Sequence, residues 1–382
     1  MSADKHIIYL SKRHQLPVQN GQKSNVFMFN ENGARIQAQW IKKSIESCNG
    51  CFVIMDHNNA ILNECERVLT KKNYFIENIN FSHVKDSIKI NPFDLVKDTS
   101  EIHFMFLNFL YAMWDNQDND IPAMSNLIDA FASCVFFMFK DNREKQNMRV
   151  LKKMISSVKA SVDTEDGQQL MSDAIFDNIQ DQNSMPCKYY AQFKRAAGER
   201  SEEIADKVVR LFDSFTDSDF ELMSKTDDCL AEEFNSKTAI FINANKESEE
   251  HSAKLMATLL NYFIQRVNTH KHVLFVVDKL EAKSSFISLP HWMQDVKDNN
   301  MSFIVISNDL TGFMKTKRTE KYFRNIQKES AAFVLLNKNE TTAKYADSLP
   351  VTEEDMAEYL SQEIVAVVQI PDENISEKDE LI

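Results

Sequence analysis

Glycine is scarce in this sequence, with 6 residues in 382. Enzymes that cradle phosphates use glycine-rich loops, because a backbone free of Cβ atoms turns several N–H groups inward on one anion. No loop of that kind is present. Long apolar runs are missing too. The longest, Phe131 to Phe139, is about half of the ~20 residues that a membrane helix needs. The opening stretch MSADKHIIYL lacks the apolar core of a signal peptide. Positive charge is in deficit, 44 basic residues against 57 acidic for a net −13, so net charge gives no face that neutralises DNA phosphates. The deficit is local: from Asp347 to Ile382 eleven acidic residues stand against Lys378, which places −10 of the −13 there. The six cysteines are scattered (Cys48, Cys51, Cys65, Cys134, Cys187, Cys229). Cys48-Asn-Gly-Cys51 has C-x-x-C spacing but no second pair to complete a zinc site and no thioredoxin-like context. Two incidental thiols at a helix-to-strand junction are expected there, and no metal-ligand set is read. Together these features lead to the expectation of a cytoplasmic protein without a membrane span.

What is present has globular proportions, 43% hydrophobic and 26% charged. The chain is organised around Gln22 to Ile45. An apolar strand, Val26 to Phe29, enters a polar turn, Asn30 to Arg35, and Ile36, Trp40, Ile41 and Ile45 then recur at helical spacing. This is the layout of a phosphate-binding loop. A working loop needs several glycines and a Lys-Ser/Thr pair at the helix start, for the β/γ-phosphates and Mg²⁺. Here the loop offers Gly33 alone, and Ile36 and Gln37 stand where the pair belongs.

Next comes CFVIMD (Cys51 to Asp56), a continuous apolar run of the kind buried on both faces of a parallel sheet. A helix at Ala60 to Lys71 and a strand at Tyr74 to Asn80 continue a βαβ alternation, which Asn91-Pro92-Phe93 interrupts. From about Ser100 to Cys229 the texture is helical, with further helices expected at Met148 to Ala160, Gln168 to Ile179 and Ser201 to Phe215. Strands resume at Thr238 to Asn243, His272 to Asp278, Ser302 to Ser307, Ala331 to Leu336 and Ile364 to Ile370, and a short strand at Ile7 to Leu10 is expected near the start. The pattern predicts an α/β domain in two parts, residues 1–99 and 231–371, an all-α insertion at 100–230 and an acidic tail at 372–382.

This order resembles the TraG-type (VirD/TraG class) coupling proteins of conjugative type IV secretion, in the form found in Gram-positive conjugative elements. The resemblance is carried by CFVIMDHNNAILNECERVLTKKNYFIENINFSHVKDSIKINPFDLV, by YYAQFKRAAG from Tyr189 to Gly198, by HVLFVVD, by NKNETTAKYADS and by LPVTEEDMAEYL with the strand after it. It implies a RecA-like P-loop NTPase fold, a mostly parallel sheet flanked by helices, carrying an all-α domain. Such proteins assemble as hexamers, feed DNA or protein substrates to a secretion channel, and usually carry N-terminal membrane helices, which this sequence does not show.

The resemblance also locates the nucleotide-contacting positions. Asn30 to Gln37 occupy the phosphate-loop register: Asn32, Gly33 and Ala34 form the loop, with Ile36 and Gln37 at the Lys-Ser/Thr positions. Asp278 matches the Walker B aspartate, and Lys279 stands where the family has the glutamate that polarises the attacking water. A lysine places positive charge where a general base belongs. Asp56 matches the first residue of a D-P-K-G-E stretch whose other residues are replaced, and Ser307 stands at the γ-phosphate-sensing glutamine. These nine residues read as a vestigial nucleotide site without a catalytic residue. The expected cofactor is none, with ATP and Mg²⁺ entering only where the degenerate site still binds.

The expected function is therefore that of a pseudo-ATPase acting as a binding or adaptor component of conjugative DNA transfer. Its expected partners are an active coupling ATPase, relaxase or channel components, which would bring it to the inner face of the membrane. Two alternatives stay open: a motor ATPase, active as it stands or completed in trans by a neighbour in a ring, with Lys42, Lys43 or Lys279 replacing the loop lysine; and a nucleotide sensor that does not hydrolyse. DNA contact is a secondary expectation, resting on Lys188, Lys194 and Arg195 beside Tyr189 and Tyr190; plain surface residues account for the same pattern. Oligomerisation is left open.

Overall fold

The structure, a computed structural model, describes residues 6–10, 15–18, 24–30, 34–57, 59–81, 83–96, 98–114, 118–159, 161–164, 167–225, 237–244, 249–267, 271–281, 286, 288–297, 300–336 and 366–369. The chain divides into two compact units, Met1–Ile79 with Glu232–Ile382, and Asn80–Ala231.

The first unit begins with β1 (His6–Tyr9) and β2 (Gln15–Val18), an antiparallel hairpin that pairs His6 with Val18 and Tyr9 with Gln15. Then come β3 (Val26–Asn30), α1 (Ala34–Ser47), β4 (Cys51–His57), α2 (Ala60–Lys71) and β5 (Phe75–Asn80). The second unit contributes α3 (Thr99–Met113), α4 (Ile121–Met138), α5 (Met148–Ser156), β6 (Ser161–Thr164), β7 (Gly167–Leu170), α6 (Met171–Asp177), α7 (Met185–Ala197), α8 (Ser201–Asp213) and α9 (Asp217–Leu222). The first unit resumes with β8 (Thr238–Ala244), α10 (Glu249–Arg266), β9 (Val273–Val277), α11 (Leu289–Gln294), β10 (Met301–Ser307), α12 (Leu310–Phe313), α13 (Lys317–Glu329), β11 (Ala332–Leu336) and β12 (Ala366–Gln369).

One eight-stranded sheet runs in the order β12-β11-β3-β10-β9-β4-β8-β5. From β11 through β8 every neighbouring pair is parallel, and β12 runs antiparallel to β11. This is the RecA-like P-loop NTPase-type architecture. Every residue of β3, β4, β9 and β10 is buried, which is why these strands read as unbroken apolar runs instead of alternating ones. Period-two alternation assigns their side chains to two cores. On one face, Val26, Met28, Phe52, Ile54, Leu274 and Val276 pack with Trp40, Ile41 and Ile45 of α1 and Ile61, Cys65 and Leu69 of α2. On the other, Phe27 meets Phe323 of α13 edge-on at 5.2 Å, and Phe275 stacks on Phe303 at 5.2 Å. Each such aromatic, fully buried, stabilises the fold by about 1.5–3 kcal/mol.

The hairpin is fastened to α1 by polar contacts. The Trp40 indole donates to the Leu10 carbonyl at 3.0 Å, and the Tyr9 N–H donates to Ser44 Oγ at 3.1 Å. β2 has no counterpart in the sequence reading. It contains Pro17, which fits an edge strand because its missing N–H is not needed by a second neighbour.

Among the described residues the second unit carries one hairpin beside its helices, β6–β7, which pairs Ser161 with Leu170 and Thr164 with Gly167. Residues 167–170 are thus strand, and the helix expected from Gln168 starts at Met171. The helix α4 is long and apolar enough to cross a membrane, yet 72% of it is buried inside the protein. It is the core helix of this unit, and its buried Asp129 is held by Nδ1 of His103 on α3 at 2.6 Å. Asp120, at the head of α4, takes a two-pronged contact from Arg200 at 2.9 and 2.7 Å and another from Lys207 at 2.7 Å. Asn91-Pro92-Phe93 starts a short 3-10 turn: Asn91 Oδ1 accepts from the Phe93 N–H at 3.2 Å, while its amide donates to the Gln146 carbonyl at 2.6 Å. Tyr189 and Tyr190 are buried; Tyr190 stacks on Phe176 at 4.1 Å and donates to Asp173 at 2.6 Å, and Lys194 pairs with the same carboxylate. These rings are occupied within the helical core and do not form the stacking platform for bases that the sequence pattern suggested. The stretches NKNETTAKYADS and LPVTEEDMAEYL and the acidic tail lie outside the described residues.

Candidate functional site

In an open parallel sheet, ligands bind beyond the carboxyl ends of the strands. At that edge stand the last residues of β3, β4 and β10 and the residue following β9. Two residues on from the Ile54–Val276 pair, along both strands, come Asp56 and Asp278. Adjacent parallel strands therefore end in carboxylates at the same level.

Asp278 is 4% exposed and its oxygens are engaged from two sides. The Gln37 amide, from the start of α1, donates to Asp278 Oδ1 at 2.6 Å. The Asn30 amide, at the end of β3, donates to Gln37 Oε1 at 3.4 Å and extends the chain. On the other side the His57 N–H donates to Asp278 Oδ2 at 3.4 Å. The His57 ring presents Nδ1 at 3.5 Å from the same oxygen, within ion-pair reach but without a hydrogen bond. Asn30, Gln37, His57 and Asp278 are all buried, so they form a polar network inside the fold.

Asp56 belongs to a different arrangement. Its oxygens accept from the Ile61 N–H at 3.1 Å and the Leu62 N–H at 2.7 Å, two of the unpaired donors at the head of α2. Burial pushes its carboxyl up to about 7, against the pull of the Leu62 and Ile61 N–H groups and with help from the nearby Asp278 charge.

The other sequence-derived positions fall as follows. Lys279 sits in the turn after β9 with φ +56°, half-buried, directly after Asp278. Ser307 closes β10 fully buried; its hydroxyl donates to the Leu280 carbonyl at 2.6 Å and accepts from the Asp309 N–H at 3.0 Å. Ala34 and Ile36 lie in the first turn of α1, and Asn32 and Gly33 lie outside the described residues. The structure thus brings Gln37 and Asp278 into contact, places Asp56 beside them as a helix cap, and gives Ser307 to a loop tie.

Asn30 and His57 were not singled out from the sequence, although both were in view. His57 follows Asp56 directly, and Asn30 opens the phosphate-loop register. On the neighbouring strands Asn243 of β8 donates its amide to Asn78 of β5, which extends the polar character of the same edge.

Chemically, the edge offers a buried carboxylate, Asp278, whose Oδ1 faces an amide donor. A Mg²⁺-bound water would donate to a carboxylate in the same way. The residue after Asp278 is a lysine, Lys279.

The fold is that of conjugative coupling proteins and of VirB4. The bacterial conjugative coupling protein TrwBdeltaN70 in an unbound monoclinic form aligns with a TM-score of 0.60 at 10% identity, covering 83% of this chain and 69% of that one. Plasmid coupling protein TrwB in complex with ADP and Mg²⁺ aligns with a TM-score of 0.59 at 12% identity, over 91% and 78% of the two chains. VirB4 of Thermoanaerobacter pseudethanolicus aligns with a TM-score of 0.53 at 12% identity, over 96% of both. No protein-family model matches the sequence, and no curated protein matches it.

Proposed function

We propose that this chain is a coupling-protein-like component of conjugative transfer or type IV secretion that acts by binding partners, its nucleotide site having lost catalysis. The observation that carries the reading is the 2.6 Å hydrogen bond from Gln37 to Asp278. A side-chain amide stands against the carboxylate that holds Mg²⁺ through water in a working site. Ile36 at the loop-lysine position and Lys279 at the general-base position support the same reading. The lysine and the base that these two residues replace each contribute orders of magnitude in rate in phosphoryl-transfer enzymes.

Two of the three candidate replacement lysines are engaged elsewhere. Lys42 pairs with Glu64 of α2 at 2.8 Å, and Lys43 lies over the Tyr9 ring at 4.6 Å. A motor completed in trans keeps one observation in its favour, the retention of Asp278 at the end of β9. Partners of the binding component are an active coupling ATPase, a relaxase or channel proteins. The TrwB structures with ADP and Mg²⁺ supply the natural control protein.

The deciding experiment is calorimetric titration of MgATP into the full chain, with a nucleotide-binding coupling protein measured alongside. The reading expects no heat of binding up to millimolar nucleotide. Saturable binding in the micromolar range, or ATP turnover above background, sinks it and returns the motor reading. Recovery of transfer or secretion proteins on the tagged chain, from cells carrying the complete conjugative element, is the second expected result.

A further inference from the structure

At the opposite edge of the sheet, three side chains from distant parts of the chain converge. Cys48 Sγ, between α1 and β4, lies 3.6 Å from Nδ1 of His6 on β1 and 3.9 Å from Nδ1 of His272 just before β9. The two imidazole rings are 5.1 Å apart, centroid to centroid. Among the described residues this is the one set of three His, Cys, Asp or Glu side chains whose ligand atoms all lie within 4.8 Å of one another. Cys48 and His272 are buried and His6 is half-buried, so the cluster opens to solvent on one side.

We propose that Cys48, His6 and His272 form a metal-ion site for zinc or a cation of similar borderline softness, with the fourth coordination position open. Tetrahedral zinc with bonds of ~2.3 Å to sulfur and ~2.05 Å to nitrogen sets S···N separations of about 3.6 Å and N···N separations of about 3.3 Å. The two S···N distances sit at that value or a few tenths of an ångström above it, and all three ligand atoms lie within 4.8 Å of one another, so side-chain rotation that draws the two imidazole nitrogens together completes the geometry. Thiolate and imidazole are the ligand types that select zinc over magnesium or calcium.

The surroundings are those of a built site. His272 turns Nδ1 to the cluster because its Nε2 is tied to Ser302 Oγ at 2.8 Å, and that hydroxyl is held by Ser24 Oγ at 2.6 Å. Orientation of a ligand imidazole through its far nitrogen is the usual outer-shell device. The Gly50 N–H donates to Cys48 Sγ at 3.4 Å, the contact that stabilises a thiolate. Gly50 also makes room: a Cβ there would meet the His272 carbonyl oxygen at 2.3 Å and its Nδ1 at 3.1 Å. The glycine between the two cysteines therefore lets His272 approach Cys48. A bound ion would clamp the β1–β2 hairpin to the start of β4 and β9.

The test uses Co²⁺ as the spectroscopic probe on the reduced, full-length chain. Expected are one equivalent of bound cobalt, a near-ultraviolet thiolate-to-cobalt charge-transfer band, intense visible bands of tetrahedral type, and bleaching of all of these by Zn²⁺. Cys48→Ser removes the charge-transfer band, His6→Ala weakens cobalt binding by at least about tenfold, and Cys51→Ser leaves both unchanged. The half-buried His6 variant serves where Cys48→Ser fails to fold, with circular dichroism as the check. The proposal is overturned when folded wild-type protein gives no charge-transfer band at millimolar Co²⁺, leaving the cluster a hydrogen-bonded Cys–His group. It is equally overturned when the band survives in folded Cys48→Ser or in His6→Ala at unchanged affinity.

Discussion

β9 is five residues long, and the two ends of the sheet that it crosses are built differently. At its carboxyl end, Asp278 is met by donors: an amide from Gln37 and an N–H from His57. At its amino end, His272 faces a thiol and a second imidazole, and its other nitrogen is held by a hydroxyl chain. The edge where an open α/β sheet binds its ligand has its carboxylate satisfied from within the protein. The opposite edge gathers ligand-type atoms around Cys48. What separates the two clusters is the chemistry of the atoms they gather: carboxylate and amide groups at one end, a thiol and two imidazoles at the other.

The largest expected effect breaks both ends together. Phe275, in the middle of β9, is fully buried and stacks on Phe303. Phe275→Ala is expected to cost about 3–5 kcal/mol in urea unfolding. A loss below about 1 kcal/mol would mean that β9 is not the shared support of the two clusters.

The next effect separates the ends by pH. The Asp56 carboxyl is raised from 3.8 to about 7 in the folded chain. Between about pH 4 and pH 7 the folded state therefore holds a proton that the unfolded state has released. Its contribution to stability is fully present below pH ~4 and is lost as pH rises through about 7, by ~4 kcal/mol at most. Asp56→Asn should flatten the fall in stability between about pH 4 and pH 7, measured by denaturant midpoints at each pH. A variant with the wild-type slope contradicts the assignment.

Smaller is the effect of Gln37→Ala, which leaves Asp278 Oδ1 buried without its amide donor. It is expected to lower stability by about 1–3 kcal/mol. A neutral result would show that water or a cation replaces the amide, which would favour a working metal position and weaken the binding-component reading. The smallest is Ser302→Ala at the opposite edge, where His272 and Ser24 lose a shared hydroxyl. About 1 kcal/mol is expected in the same unfolding assay, and a gain in stability would count against that chain as an orienting device.

Much of the sheet was legible in the sequence, for a definite reason. VFMF, CFVIMD, HVLFVVD and SFIVIS are buried on both faces, so they stand out as unbroken apolar runs without any knowledge of their neighbours. β2 was not legible, because QLPV is short, half-polar and carries a proline. The hairpin over 161–170 was hidden for a related reason: GQQL is polar and pairs only locally. The polar cluster was half legible. The phosphate-loop register placed Gln37 and the apolar run placed Asp278, but nothing local joins residues 241 positions apart. The same holds for the Cys48 group. C-x-x-C spacing drew attention to Cys48 and Cys51, whereas the side chains that meet Cys48 come from positions 6 and 272.

The strand order has a consequence for how the chain is made. None of β3, β4 and β5 lies beside another in the sheet; each is flanked by strands that follow the helical unit. When the ribosome has finished β5, no neighbour for any of the three yet exists. Between β3 and its partner β11 lie 306 residues of synthesis (26 to 332), on the order of 15 to 60 s of elongation. During that interval the residues of Asn80–Ala231 have all their internal partners at hand, while β3, β4 and β5 emerge with their hydrogen-bonding edges unpaired. The helical unit is thus expected to fold first in the cell. The N-terminal strands are the segments for which a chaperone matters, and a truncation after β8 would leave β3 without either of its neighbours.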